Sequence, residues 1–139
     1  MERKILVLTD SINPREEVLR YSLGLARRLE SVLVVLALLH PEEGPGGRDP
    51  DREQRAERSL ADRFDGLHED GEQVEPWVRF GDPVSEVIKF LAGAGSYQAV
   101  IWGGEELAAE GRGSHWLYKV KGLVECPLMI PSKKGDRRS

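Results

Sequence analysis

Twelve residues, Gly103-Gly104-Glu105-Glu106-Leu107-Ala108-Ala109-Glu110-Gly111-Arg112-Gly113-Ser114, follow the apolar segment Gln98-Ala99-Val100-Ile101-Trp102 and precede a helical pattern. Glycine has no side chain to hold a ligand's oxygens away from the backbone, and the start of a helix carries partial positive charge. The chemistry this spacing suits is phosphate cradling. Backbone amides at Gly103, Gly104 and Gly113 would face the anion, the Ser114 hydroxyl and the Arg112 cation would assist, and Asp10 across a crevice would accept hydrogen bonds from a ribose. Glu105, Glu106 and Glu110 oppose that use, because three carboxylates repel an anion unless they turn away or share a magnesium ion. A plainer reading gives the glycines to tight turns and Ser114 to capping of the helix that follows.

Other reactive side chains are isolated. Cys126 is the single cysteine, so no intrachain disulfide or cysteine-cluster metal site is expected, and with no neighbour in sequence to depress its pKa it reads as a small buried hydrophobe. His40, His68 and His115 lack metal-ligand spacing and read as surface or capping residues. No Ser-His-Asp order is present, so no catalytic cluster and no metal site are expected. Trp77 and Trp102 lie in strand-like segments, where aromatic packing explains them, whereas Trp116 falls beside the glycine-containing loop.

The elements that must position these residues alternate along the chain. Ile5-Leu6-Val7-Leu8-Thr9 is a continuous apolar run ended by Asp10-Ser11-Ile12-Asn13-Pro14, as in a strand buried on both faces. Asn13 as a cap and Pro14 in the first helical position predict a helix from about Pro14 to Glu30, with Val18, Ser22, Leu25, Ala26 and Leu29 on one stripe. Val32 to Leu39 is a second buried strand. After a Gly- and Pro-rich loop, Ala56, Leu60, Phe64 and Leu67 share the face of a helix from about Asp51 to His68. Between Pro41 and Gln73 there are 11 acidic and 5 basic side chains, which reads as a solvated helix face. Val74, Pro76, Val78 and Phe80 alternate, and a proline in a strand points to a sheet edge. Asp82 and Pro83 open a helix striped by Val84, Val87, Ile88 and Leu91. Gln98 to Trp102 gives a fourth strand, Ser114 to Val124 a last helix, and Pro127 to Ile130 a short final strand.

Five strands separated by helices predict an α/β fold, a single five-stranded, mostly parallel sheet of Rossmann-like type with helices on both faces. The edge character of the third strand fits the order 3-2-1-4-5, and ligands in such sheets sit at the carboxyl ends of the strands flanking the reversal, here Asp10 and Gly103-Gly104.

Composition limits the partners. With 139 residues, 40% apolar and 32% charged, the chain has the balance of one soluble globular domain. Residues 1–132 are expected to form it, and the tail from Lys133, with four basic residues and Asp136, to be a frayed terminus. Lys and Arg total 20 against 24 Asp and Glu, so a general nucleic-acid binder is disfavoured. No apolar run approaches the roughly 20 residues of a bilayer span, and Met1-Glu2-Arg3-Lys4 leads into too short an apolar segment for a secretory leader. A cytoplasmic protein without membrane contact is expected.

Taken together, Lys4 to Asp10, Gly81-Asp82-Pro83 with its helix, Tyr97 to Gly103, Gly113-Ser114 and Cys126 to Ile130 give a chain that resembles the universal stress protein family over nearly its whole length. The resemblance implies the 3-2-1-4-5 sheet and homodimers paired through the fifth strand, here Pro127 to Ile130. Some members bind ATP through Gly-x2-Gly-x9-Gly-Ser/Thr, and others lack the pattern and bind no nucleotide. Gly103-x9-Gly113-Ser114 matches its second half, yet Gly103 directly follows the strand, where the family's first glycine sits. Counted that way, the loop is three residues short and Glu106 replaces the middle glycine, while Trp116 stands where the family usually has a small hydroxyl residue. The resemblance carries Asp10, Gly103, Gly113 and Ser114 into a nucleotide site and adds Leu38 as an adenine contact at the end of the second strand.

The leading expectation is therefore a stress-protein-like binding or sensing module taking ATP or AMP, with magnesium, by recognition rather than catalysis, with at most slow hydrolysis. One alternative is a dimeric protein-interaction module of the same family, its crevice closed by Trp116. The other is a small α/β hydrolase or transferase, for which a catalytic cluster is missing.

Overall fold

The computed structural model describes residues 3–40, 51–65, 73–93, 97–104, 116–124 and 126–130. The elements are β1 (Lys4–Thr9), α1 (Glu16–Arg28), β2 (Val32–Leu39), α2 (Arg52–Asp65), β3 (Val74–Phe80), α3 (Pro83–Ala92), β4 (Ala99–Trp102), α4 (Trp116–Lys121) and β5 (Leu128–Met129). The strands form one five-stranded sheet in the order β3-β2-β1-β4-β5, and every pairing is parallel. The expected order is thus observed. The ends expected at His68 and Ser114 and the expected tail lie outside the described residues.

Side chains on alternate residues of the central strands serve two separate cores. Ile5 and Val7 of β1, Leu33, Val35 and Ala37 of β2 and Ile101 of β4 pack with Val18, Leu19 and Leu23 of α1 and Leu60 and Phe64 of α2. Their neighbours Leu6, Leu8, Val34, Leu36, Leu38, Val100 and Trp102 pack on the other face with Val87 of α3 and Leu117 and Val120 of α4. Continuous apolar runs without alternation are the sequence consequence of burial on both sides. All eight residues of β2 are buried, as befits the strand between β1 and β3.

The middle of the edge strand β3 is blocked against further pairing. Gly81 N–H donates to the Leu39 carbonyl of β2, so the alternate positions Pro76 and Val78 present their backbone groups outward. Pro76 has no N–H to offer. Val78 N–H donates to Glu57 of α2 at 3.1 Å, and Arg79 Nη1 donates to the Val78 carbonyl at 3.0 Å. Edge groups satisfied in this way cannot template another strand.

Two helix starts differ. Asp82 caps α3 as its sequence predicts: Oδ2 accepts the Ser85 N–H at 3.0 Å, Pro83 takes the first turn, and Gly81 precedes with φ 147°, a conformation that disfavours any side chain. The expected Asn13 cap and Pro14 start of α1 are not observed. The helix begins at Glu16, its cap position is Arg15 with extended backbone, and no side chain caps it. A local turn and a distant clamp win here: Asn13 N–H donates to Ser11 Oγ at 2.9 Å, and Arg63 of α2 holds the Pro14 carbonyl at 2.6 Å.

Candidate functional site

The rim of the sheet between β1 and β4 is where winding reverses. Leu8 lies opposite Trp102 in the register, so Thr9-Asp10 and Gly103-Gly104 leave the sheet side by side. Gly103 N–H donates to the Leu8 carbonyl at 2.6 Å and continues the ladder one residue past the strand. Thr9, fully buried, accepts the Ser11 N–H at 3.2 Å on its hydroxyl, whose one proton faces the carbonyls of Ser11 at 3.3 Å and Gly103 at 3.4 Å. This hydroxyl ties the turn after β1 to the turn after β4.

The two glycines lack side chains for different reasons. A Cβ on Gly103 would sit 3.0 Å from Val7 Cγ1 and 3.3 Å from Val18 Cγ1, so this position serves the close approach of β4 to β1 and α1. A Cβ on Gly104 would overlap the Trp102 indole and fall 2.6 Å from Asp10 Oδ1. Gly104 therefore closes on the Asp10 carboxylate, and the two strand exits share one notch.

Arg15 reaches the same place from the start of α1. Its Nη2 donates to the Gly104 carbonyl at 3.4 Å, a long bond, while Nε and Nη1 are shut off from solvent with no hydrogen-bond partner. No motif in the sequence singles out Arg15. The signal available was positional: it is the first cation after the turn that carries Asp10.

Apolar groups form the other wall. Leu38, one residue beyond Ala37, which pairs with Thr9, is buried in the α3 and α4 core together with Trp102. Trp116, at the start of α4, packs edge-to-face on Trp102 with ring centroids 5.4 Å apart and an interplanar angle of 81°. The structure thus gathers Asp10, Gly103 and Gly104 at one notch, with Arg15 beside them and Leu38 on the adjoining strand. Arg112, Gly113 and Ser114 lie outside the described residues.

The remaining reactive groups lie elsewhere. Cys126 is partly buried against the α3 and α4 core, and burial pushes its thiol pKa up, the opposite of what a nucleophile needs. Among the described residues, no group of three or more His, Cys, Asp or Glu side chains could hold a metal ion, and no helix is long and apolar enough to cross a membrane.

Comparison with known proteins places this geometry in a known fold. No family profile matches the sequence, and no curated protein matches it. Among solved structures, the chain is similar to a universal stress protein in complex with cAMP, with a TM-score of 0.58 and 12% identity over 94% of this chain and 97% of that one. The two share the α/β fold.

Proposed function

We propose that this chain is a universal stress protein-like binding module, with residues 1–132 as its domain, that takes an adenine nucleotide at the notch between β1 and β4. One observation carries the reading: Asp10 and Gly104 meet at the rim where the sheet reverses, the place at which open α/β sheets receive ligands. The fold shared with a protein solved in complex with cAMP supports the nucleotide class. ATP or AMP is the proposed ligand, with magnesium carried by its phosphates. Asp10 would hold the ribose, Leu38 the base, and the Gly104 amide, with Arg112, Gly113 and Ser114, the phosphates; the Gly103 amide, expected from the sequence to face the anion, is instead spent on the Leu8 carbonyl, so Gly103 would serve only the close approach of the strands. The role is recognition in a cytoplasmic stress response, and two copies would pair along β5.

A second reading has its own observation. Leu38 is enclosed rather than open, and Trp116 seals Trp102 against the same wall, as in a module whose crevice is closed and whose business is with proteins. Thermal unfolding with and without Mg-ATP separates the two, since a ligand at 100 times its dissociation constant adds about 2.7 kcal/mol of stability. The nucleotide reading expects an upward shift that Asp10→Ala removes. No shift at millimolar ATP, AMP or cAMP would sink it and leave the closed module.

A further inference from the structure

We infer that Arg15 is the anion-holding side chain of the notch, its guanidinium taking the phosphate of the bound nucleotide. The nucleotide as carrier rests on the function proposed above, but the anion is tested alone as well. Two of the three nitrogens of Arg15, Nε and Nη1, are buried without a partner, and the third makes only a 3.4 Å bond to the Gly104 carbonyl. A guanidinium stays charged at any pH a protein meets, so withdrawing its donors from water without replacement is costly. Something that accepts two hydrogen bonds at once is the natural complement, and phosphate oxygens match that planar fork.

The surroundings favour an outside anion over an internal one. Glu16, the next residue, is engaged by Arg20 at 2.7 Å. The backbone that launches Arg15 is fixed, because Arg63 Nη2 donates to the Pro14 carbonyl at 2.6 Å. Arg15 as a whole keeps partial exposure. Asp10 also lies against Gly104, where it would face a ribose and leave the phosphate to Arg15.

The test follows the Arg15 Nε–H and the Gly104 amide by NMR during titration with inorganic phosphate, and compares AMP with adenosine by calorimetry. In the native protein, phosphate is expected to move both signals saturably, and AMP to bind about tenfold or more tighter than adenosine, the loss of one charge-assisted pair. Arg15→Gln should weaken the phosphate response at the Gly104 amide and cut the preference for AMP over adenosine about tenfold, with adenosine unchanged. Arg15→Lys should recover part of the gap, since charge without the fork is retained. Arg15→Met should unfold at or above the native temperature, which shows that the side chain is not a structural clamp.

Phosphate that leaves Nε–H unmoved, or an AMP preference that Arg15→Gln leaves undiminished, would overturn the assignment, and water would then be the partner of the buried donors. A phosphate response without any nucleoside or nucleotide binding would refute the nucleotide reading and keep Arg15 as an anion holder. Adenosine binding with AMP no tighter would do the reverse.

Discussion

At the scale of the residue, the two glycines after β4 look alike in sequence and differ in what surrounds them. Gly103 faces Val7 and Val18, and Gly104 faces Trp102 and Asp10. An alanine at Gly103 asks two valine side chains to yield a few tenths of an ångström. An alanine at Gly104 must displace an indole that Trp116 holds in an edge-to-face contact. Gly104→Ala is therefore expected to destabilise by about 1–3 kcal/mol, in the range of overpacked cores, and Gly103→Ala by less. Urea denaturation checks both, and a neutral Gly104→Ala would mean that Asp10 and Trp102 do not close on it. A glycine pair after a strand announces close approach, but whether the approaching group is a ligand or the protein's own chain depends on contacts made across the sheet. That part of the notch was illegible in sequence. So was Arg15, whose role depends on the Gly104 carbonyl, 89 positions away in the chain.

At the scale of the element, the signals that could be read were those that complete themselves locally. Asp82, Pro83 and Ser85 finish a helix cap within four residues, and α3 begins where they say. The start of α1 depends on Arg63 of α2 and on a serine turn, and a proline that could open a helix stays outside it. The cap of α3 also titrates. Hydrogen bonds from Ser85, the backbone N–H first, hold the Asp82 carboxyl below its ordinary pKa of 3.8, opposed by slight desolvation and aided by Lys119. A depressed carboxyl binds protons less readily in the folded state, so its contribution to stability is present above about pH 4 and is lost as pH falls through the folded pKa. Asp82→Asn keeps an acceptor for the cap but removes the titration, and its stability is expected to fall less steeply below pH 4 than that of the native protein. Asp82→Ala should be less stable above pH 4 and equally flat below it. Melting temperatures across the acid range read both effects; parallel curves for all three proteins would contradict them.

At the scale of the whole molecule, strand order was legible because strands buried on both faces, one proline-bearing edge strand and the family resemblance leave few arrangements. What that order does to the two edges needed the side chains. The middle of the β3 edge is blocked by Pro76, Glu57 and Arg79. The opposite edge is β5, only Leu128 and Met129, followed by Ile130 at 39% exposure. Tyr21 of α1, itself 40% exposed, donates its hydroxyl to Met129 Sδ at 3.3 Å, so an apolar patch from helix and strand lies along that side. A two-residue strand is too small for a stable interface, which needs on the order of 800 Å² per partner, so pairing of two copies along β5 would have to recruit the Tyr21 face of α1 as well. Light scattering at micromolar concentration is expected to give a dimer. Ile130→Lys puts a charge at the exposed end of the patch, where it costs the monomer little, and should return the protein to a monomer at an unchanged melting temperature after allowance for concentration. The same substitution on the assumption of an edge that meets only water would change neither mass nor stability. A native protein that is monomeric at those concentrations would leave β5 protected by its shortness alone, as brief edge strands can be.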